Sequence, residues 1–264
     1  MKTEIYYFSG SGNSLAIAQN LSKEMEDSKI ISIPHVIDKA NSITGEIIGI
    51  VCPIYFHRMP HTVRDFIKKI KEAKYIFMIY AGAGELGKGV KRTQKLFVNQ
   101  NIKLSSLFNI TMPDNSTKYG EIPKEEQMKM FNNADKKIED IVKIVNGKGE
   151  HFDSNNTSPL KTYIYPAILY KFLYGSMSKM DKDFTVDENC NGCSICQKVC
   201  PVNNITMKDN KPVWNKNNQC QVCLACYNWC PKESIKHPSV KAEMKRYHNP
   251  NIKLKDIIRS SVEK

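Results

Sequence analysis

The chain of 264 residues lacks any uninterrupted apolar run of the roughly 20 residues that a membrane helix requires. It also lacks a charged and then apolar leader, because the first residues enter a strand-like pattern directly. We therefore expect no transmembrane segment and a cytoplasmic location.

Arginine is scarce, with 5 residues against 34 lysines. The formal net charge of +12 would by itself suit a protein that binds nucleic acid or a membrane surface. However, the basic residues are spread along the whole chain and no recognised nucleic-acid motif is present. We therefore expect no nucleic-acid partner, and bound anionic cofactors would lower the charge of the loaded protein.

Cysteine is almost absent outside one segment, since eight of the nine cysteines lie between Cys190 and Cys230. In a reducing compartment, such crowding favours metal ligation over disulfide bonds. The cysteine distribution thus divides the chain into two parts of different chemistry.

Strand-like and helix-like patterns alternate over the first 150 residues. This alternation is typical of a doubly wound α/β domain with a parallel sheet. The predicted strands are Lys2–Phe8, Ile30–Ile33, Ile47–Cys52, Tyr75–Tyr80 and Lys103–Thr111, and the helical stripes are Ser14–Met25, Val63–Ile70 and Met130–Val145.

The loop after the first predicted strand has the composition of a phosphate site. Glycines let backbone N–H groups turn inward, and the following helix N-terminus favours an anion. The loop lacks the lysine of a Walker motif and the spacing of a dinucleotide loop, which favours a mononucleotide. A serine-rich turn that only caps the helix is the simpler alternative. The loop consists of Ser9, Gly10, Ser11, Gly12, Asn13 and Ser14.

Every position of this loop fits the pattern Thr/Ser-x-Thr/Ser-Gly-Asn-Thr/Ser, so the sequence resembles the flavodoxin family. The resemblance implies a five-stranded parallel sheet of order 2-1-3-4-5 that holds FMN by this loop. It further implies that aromatic residues after the third strand cover the isoalloxazine ring and that the loop after the fourth strand lies at the ring edge. The additional cofactor-binding residues implied are Pro53, Tyr55, Phe56, Tyr80, Ala81, Gly82 and Gly84.

The second part contains the motif C-x₂-C-x₂-C-x₃-C-P twice, 30 residues apart, and Asp209-Asn210 between them predicts a hairpin turn. The duplication resembles the two-cluster bacterial ferredoxins, in which each 4Fe-4S cluster takes three cysteines of one motif and the last cysteine of the other. Two structural zinc sites are the alternative. The implied ligand sets are Cys190, Cys193, Cys196 and Cys230 for one cluster, and Cys220, Cys223, Cys226 and Cys200 for the other.

The two resemblances together predict a flavodoxin-like domain at 1–150, a linker and connecting helix at 151–181, a smaller α+β ferredoxin-like domain at 182–240 and a basic C-terminal extension at 241–264. They imply an electron-transfer protein, similar to the flavodoxin–ferredoxin fusions of anaerobes, that exchanges electrons with unknown redox partner proteins. The alternatives are a flavin-dependent reductase of a small substrate fed by the clusters, and a redox sensor. We assign no catalytic residue, and enzymatic activity and homo-oligomer formation stay open.

Overall fold

The computed structural model describes residues 2–55, 58–82, 86, 89–115, 122–153, 179–238, 240 and 245–262. Phe56, Gly84 and most of the predicted connecting region at 151–181 lie outside the described residues. Within the described ranges, no helix is both long and apolar enough to cross a membrane.

A parallel sheet of six strands forms the centre of the first domain, in the order β2-β1-β3-β4-β5-β6. The predicted order 2-1-3-4-5 is confirmed, and a two-residue strand adds a sixth position beside β5. Asp153 directly follows this strand, and its carboxylate accepts a hydrogen bond from the backbone N–H of Asn109 at 2.7 Å. The strands are β1 (Thr3–Tyr7), β2 (Ser28–Ser32), β3 (Ile43–Pro53), β4 (Ile70–Gly82), β5 (Ser106–Thr111) and β6 (His151–Phe152).

Five helices in the described residues cover this sheet. α1 packs against α5, and α2 packs against α3. Ile70, which the sequence pattern joins to the helical stripe of Val63, instead begins β4 and pairs with Ile43. Its apolar side chain suits a buried strand as well as a helix, so spacing alone assigned it wrongly. The helices are α1 (Asn13–Glu24), α2 (Ile33–Val36), α3 (His61–Ile67), α4 (Gly89–Val98) and α5 (Lys124–Asn146).

The second domain is smaller and combines short antiparallel strands with short helices. The predicted hairpin is present, with both Asp209 and Asn210 in the left-handed conformation at its turn. A second antiparallel pair joins the beginning and the end of the cysteine-rich region. The elements are β7 (Thr185–Val186), α6 (Ile195–Lys198), β8 (Ile205–Lys208), β9 (Lys211–Trp214), α7 (Ala225–Asn228) and β10 (Ile235–Lys236), followed by α8 (Leu254–Val262).

The duplication is visible in the backbone as well as in the cysteine spacing. Three pairs of residues, each separated by 30 positions, adopt positive φ angles. Holding a non-glycine residue in this conformation costs on the order of 1 kcal/mol, so the same unusual turn recurs in both copies for a structural reason. The pairs are Gly192 and Val222, Ser194 and Leu224, and Asn203 and Glu233.

The hydrophobic core of the sheet extends into the second domain, which also has a separate buried cluster of its own. Cys223, Ala225 and Trp229 of the second domain belong to the same buried cluster as the side chains of the sheet. Ile252 and Ile257 near the C-terminus belong to it too. The cysteine-rich domain is therefore packed directly on the α/β domain.

Candidate functional site

The predicted phosphate loop leads from β1 into α1. Gly12 precedes the helix with φ 100°, and its backbone N–H donates to the Ser9 hydroxyl oxygen at 3.1 Å. Helix α1 has no side-chain cap, and in the described part of the chain no acceptor meets the backbone N–H groups of Asn13, Ser14 and Leu15. Because this loop is buried, these N–H groups form a donor set that fits an oxyanion such as the FMN phosphate.

The Asn13 side chain connects three segments of the chain. Its Nδ2 donates to the carbonyl oxygen of Pro113, after β5, at 3.0 Å. Its Oδ1 accepts hydrogen bonds from the Tyr247 hydroxyl at 2.7 Å and from Nδ2 of Asn249 at 3.0 Å. The structure therefore gives this predicted cofactor-binding side chain three protein partners, which leaves its backbone N–H for the ligand.

Residues 245–252, here named the C-terminal segment, cover the phosphate loop. The backbone N–H of Asn249 donates to the carbonyl oxygen of Ser11 at 2.8 Å. A β-carbon added to Gly12 would lie 3.1 Å from the β-carbons of both Asn249 and Ile252. Sequence analysis predicted only a basic extension here, because single polar contacts across more than 230 residues leave no periodic signal.

The C-terminal ends of β3 and β4 lie at the same edge of the sheet as the phosphate loop. The backbones of Tyr55 and Arg58 exchange two hydrogen bonds, of 2.8 and 2.9 Å. Burial raises the pKa of the Tyr55 hydroxyl, and the nearby Cys223 thiol raises it further. Tyr80 is fully buried, and its hydroxyl bonds to that of Thr93 at 2.6 Å. Pro53 ends β3, and Ala81 and Gly82 end β4.

The eight clustered cysteines form two sets, each drawn from both motifs. Three cysteines of the first motif and the last cysteine of the second line one small cavity, and we name these four the outer cysteine set. In the inner cysteine set, Cys200 of the first motif raises the pKa of each of the three second-motif thiols, although burial is the larger cause. The outer set is Cys190, Cys193, Cys196 and Cys230, and the inner set is Cys220, Cys223, Cys226 and Cys200.

This crossed grouping is the one that the ferredoxin resemblance implies. Among the described residues, no three His, Cys, Asp or Glu side chains are arranged to hold a single metal ion. The eight sulfurs are soft ligands suited to iron–sulfur chemistry, and they supply four thiols to each set. The residues present therefore fit two 4Fe-4S clusters.

The two sets differ in their exposure. The outer set contains the exposed Cys193, whereas the inner set contains no exposed cysteine; each set also has buried members, which are Cys196 in the outer set and Cys200 and Cys223 in the inner set. Burial raises the pKa of Cys220 to about 12, and the backbone N–H of Val222, 3.4 Å from its sulfur, lowers it. The backbone N–H of Asn204 likewise donates to the sulfur of Cys200 at 3.2 Å. Such N–H groups stabilise anionic sulfur in a site from which water is largely excluded.

The inner cysteine set touches the phosphate loop. A β-carbon added to Gly10 would lie 2.4 Å from the carbonyl oxygen of Cys223, a separation that atoms do not tolerate. The indole N–H of Trp229 donates to the carbonyl oxygen of Gly10 at 2.9 Å. Asn115, after β5, donates to the same Cys223 carbonyl at 3.3 Å. Glycine at position 10 thus permits direct contact between the phosphate loop and the inner cysteine set.

Two further hydrogen bonds cross this interface. The backbone N–H of Thr62, at the start of α3, donates to Oε1 of Gln221 at 3.0 Å. Nδ2 of Asn228 donates to the carbonyl oxygen of Asn115 at 3.1 Å. Sequence analysis missed Gln221, Asn228 and Trp229, although all three lie between or beside the motif cysteines, because the motif constrains only the cysteines and the proline.

Comparison with known proteins agrees with this architecture. A family model described as a flavodoxin domain matches residues 4–140, and one described as a 4Fe-4S dicluster domain matches residues 189–235. No curated protein matches the chain. A flavodoxin domain implies a flavin and a dicluster domain implies 4Fe-4S clusters, so the two together support a redox role.

Solved structures similar to this chain include a flavodoxin from the domain Archaea, with 16% identity and a TM-score of 0.37, covering 55% of this chain and 99% of that one. Another is two-electron reduced Megasphaera elsdenii flavodoxin, with 17% identity and a TM-score of 0.33, covering 51% and 98%. A third is an FMN-dependent NADH-azoreductase from Bacillus anthracis, with 11% identity and a TM-score of 0.37, covering 55% and 99%. Because the flavodoxin domain model spans just over half of the 264 residues, this chain belongs to the flavodoxin domain family and carries a 4Fe-4S dicluster domain after it.

Proposed function

We propose that this protein transfers electrons between FMN in the first domain and two 4Fe-4S clusters in the second, and from there to redox partner proteins. The observation that carries the proposal is the direct contact between the Cys223 carbonyl and Gly10, since it joins the inner cysteine set to the phosphate loop. When bound, FMN accepts one or two electrons, whereas each cluster carries one.

The first domain supplies the FMN site. The N–H groups of Asn13, Ser14 and Leu15 hold the phosphate, and the C-terminal segment shields it from water. The ring site is assigned to the ends of β3 and β4 and the loops that follow them. The residues proposed there are Pro53, Tyr55, Phe56, Ala81, Gly82 and Gly84, with Tyr80 fixing the end of β4 from within the core.

The second domain supplies a path from the protein surface to the flavin site. The exposed Cys193 makes the outer cysteine set the point at which partner proteins exchange electrons. The inner cysteine set lies between the outer set and the phosphate loop, because Cys196 is close enough to Cys226 to add to the effect of burial in raising the pKa of Cys226, and Cys223 contacts Gly10. The proposed order of centres is therefore partner, outer cluster, inner cluster and FMN, with transfer possible in either direction.

An anaerobic reductive titration of the reconstituted protein, followed by visible absorption and electron paramagnetic resonance, tests the proposal. We expect both the flavin and the clusters to be reduced, and electrons introduced at one centre to redistribute to the others. Reduced clusters that leave the flavin oxidised despite a higher flavin potential would contradict internal transfer. Failure of the folded protein to bind FMN would contradict the assignment of the first domain.

A further inference from the structure

One side of the C-terminal segment faces the second domain. The guanidinium of Arg246 lies over the ring of Tyr227, with 3.6 Å between its central carbon and the ring centroid. Further along the segment, the ring of His248 stacks on the Trp229 indole, and their centroids are 4.2 Å apart. Trp229 also donates to the Gly10 carbonyl oxygen, so this side of the segment lies where the second domain meets the phosphate loop.

Arg246 binds the second domain through both ends of its guanidinium. Its Nη1 donates to the carbonyl oxygen of Tyr227, and its Nη2 donates to the carbonyl oxygens of Glu233 and, at 2.8 Å, Ile235. All three carbonyls belong to the chain that follows Cys226. A planar guanidinium can stack on a ring and donate in several directions at once, whereas a lysine ammonium acts as a point charge. The geometry therefore makes Arg246 an anchor of the C-terminal segment on the second domain.

The other side of the segment holds the Asn13 side chain. The Tyr247 hydroxyl and Nδ2 of Asn249 both donate to Oδ1 of Asn13. Burial raises the pKa of the Tyr247 hydroxyl, so this group stays protonated and available as a donor. Because Nδ2 of Asn13 also donates to the Pro113 carbonyl oxygen, both ends of the amide are fixed. Asn13 is the first residue of α1, so fixing its side chain also holds the start of the helix, where the phosphate donors lie.

The anchor and the hold on Asn13 are adjacent in the chain. Tyr247 directly follows Arg246, and its backbone N–H donates to Oδ1 of Asn228 in the second domain at 3.2 Å. A donor set that is ordered before its ligand arrives binds more tightly than one that must be ordered on binding, because ordering costs conformational entropy. Fixing Asn13 from the second domain should therefore increase the affinity of the phosphate loop for its anion.

We propose that Arg246 is a positioning residue for the FMN phosphate: it anchors the C-terminal segment to the second domain, so that Tyr247 and Asn249 hold Asn13 in the orientation that binds the phosphate. This inference rests on the FMN site proposed above. It adds that the second domain contributes to the affinity for FMN through the C-terminal segment.

Binding of FMN to the flavin-free, cluster-loaded protein, measured by ultrafiltration at equilibrium, tests the proposal. In Arg246→Ala the dissociation constant for FMN should rise at least about tenfold. Arg246→Lys keeps the positive charge but loses the planar donor set, so its dissociation constant should lie between those of the parent and Arg246→Ala. The control Lys255→Ala removes a positive charge from an exposed position of α8 and should bind FMN as the parent does.

A double-mutant cycle shows whether Arg246 acts through Tyr247. Tyr247→Phe keeps the ring and removes the hydroxyl that donates to Asn13, so by itself it should weaken FMN binding by roughly threefold to tenfold. In the Arg246→Ala background the same change should have a much smaller effect, because the segment is already released. Tyr247→Phe leaves the anchor in place, so it still tests the proposal if Arg246→Ala does not fold or take up clusters.

Four results would each overturn the proposal. These are unchanged FMN affinity in Arg246→Ala or Tyr247→Phe, parental affinity in Arg246→Lys, additive effects in the cycle, and an equal loss in Lys255→Ala. A parent protein that folds and takes up clusters but binds no FMN would instead contradict the proposed FMN site. The two failures are distinguishable, because the role of Arg246 is measured only as a change from the affinity of the parent.

Discussion

The outer and inner cysteine sets share a sequence motif and a backbone turn but have different surroundings. The outer set includes the exposed Cys193, whereas Cys223 of the inner set is buried between the second domain and the phosphate loop. Duplication thus supplied two equivalent ligand sets, and packing against the flavodoxin domain made them unequal. The two sets have the same motif, so their different surroundings come from their positions in the fold: one set lies at the surface and the other lies against the phosphate loop.

The largest expected effect comes from removing one ligand of each set. Cys223→Ser should abolish the inner cluster and with it reduction of the flavin by the outer centre. Cys193→Ser should abolish the outer cluster and leave electron exchange between the inner cluster and the flavin intact. Iron content, electron paramagnetic resonance and stopped-flow flavin reduction distinguish the two results.

Two further variants test whether each cluster takes ligands from both motifs. Cys200→Ser should behave like Cys223→Ser, although Cys200 belongs to the first motif, and Cys230→Ser should behave like Cys193→Ser. If each variant instead behaved like the other members of its own motif, the assignment of two crossed sets would be wrong.

The next largest effect is expected from Gly10→Ala. The added β-carbon would lie 2.4 Å from the Cys223 carbonyl oxygen, so the second domain must shift away from the phosphate loop. Overpacking of this kind costs about 1–3 kcal/mol, which lowers the thermal unfolding midpoint by roughly 3–10 °C in a protein of this size. Cluster-to-flavin transfer should slow as well.

Gly147→Ala is the matched control for this change. Its β-carbon would meet the Lys143 carbonyl oxygen at 3.3 Å, far from the domain interface, and its φ of −78° suits alanine. The control should change the midpoint by no more than about 2 °C and leave transfer unaffected. Equal behaviour of the two variants would mean that close approach at Gly10 is unimportant.

Removal of iron from the loaded protein is a third test of the difference between the outer and inner cysteine sets. An iron chelator in the presence of a mild oxidant should release about half of the iron in a fast phase, because the outer cluster is the one open to solvent. Absorbance of the chelate gives the phases, and electron paramagnetic resonance identifies the cluster that remains. A single phase, or earlier loss of the inner cluster, would contradict the difference in exposure.

The smallest effect concerns a buried carboxylate beside the inner set. Asp181 is fully buried, accepts a hydrogen bond from Nδ2 of Asn204 at 2.8 Å, and adds to the effect of burial in raising the pKa of Cys200 and Cys220. Removing its negative charge in Asp181→Asn should raise the potential of the inner cluster by on the order of 50 mV.

Potentiometric titration followed by electron paramagnetic resonance measures this shift. The outer cluster should be unchanged, and Asp183→Asn, two residues away and exposed, should shift neither potential. A larger shift of the outer cluster would reverse the assignment of Asp181 to the inner site.

Much of the fold was predictable because it rests on repeating patterns. The buried strands are continuous apolar runs in the sequence. The strand order 2-1-3-4-5 was implied by the resemblance of the loop after β1 to the phosphate loop of flavodoxins. The repeated cysteine spacing carries the resemblance to two-cluster ferredoxins, and that resemblance implied both ligand sets. Ile70 was assigned wrongly because one apolar residue between a helix and a strand satisfies both patterns.

The interface could not be predicted from the sequence. The Trp229 indole and the Gly10 carbonyl are 219 residues apart, and Tyr247 and Asn13 are 234 apart. Each contact involves one side chain with no periodic repetition, so nothing in the local sequence marks its partner.

The C-terminal segment gives the first domain a property that an isolated flavodoxin fold would not have. Asn249 and Ile252 lie against the phosphate loop, and Tyr247 bonds to Asn13, so in the proposed FMN site we expect release of the cofactor to require movement of this segment. The residence time of FMN would then be set by the rate at which residues 245–252 open. We expect loading in the reverse order, with the flavin entering before this segment closes over the phosphate loop.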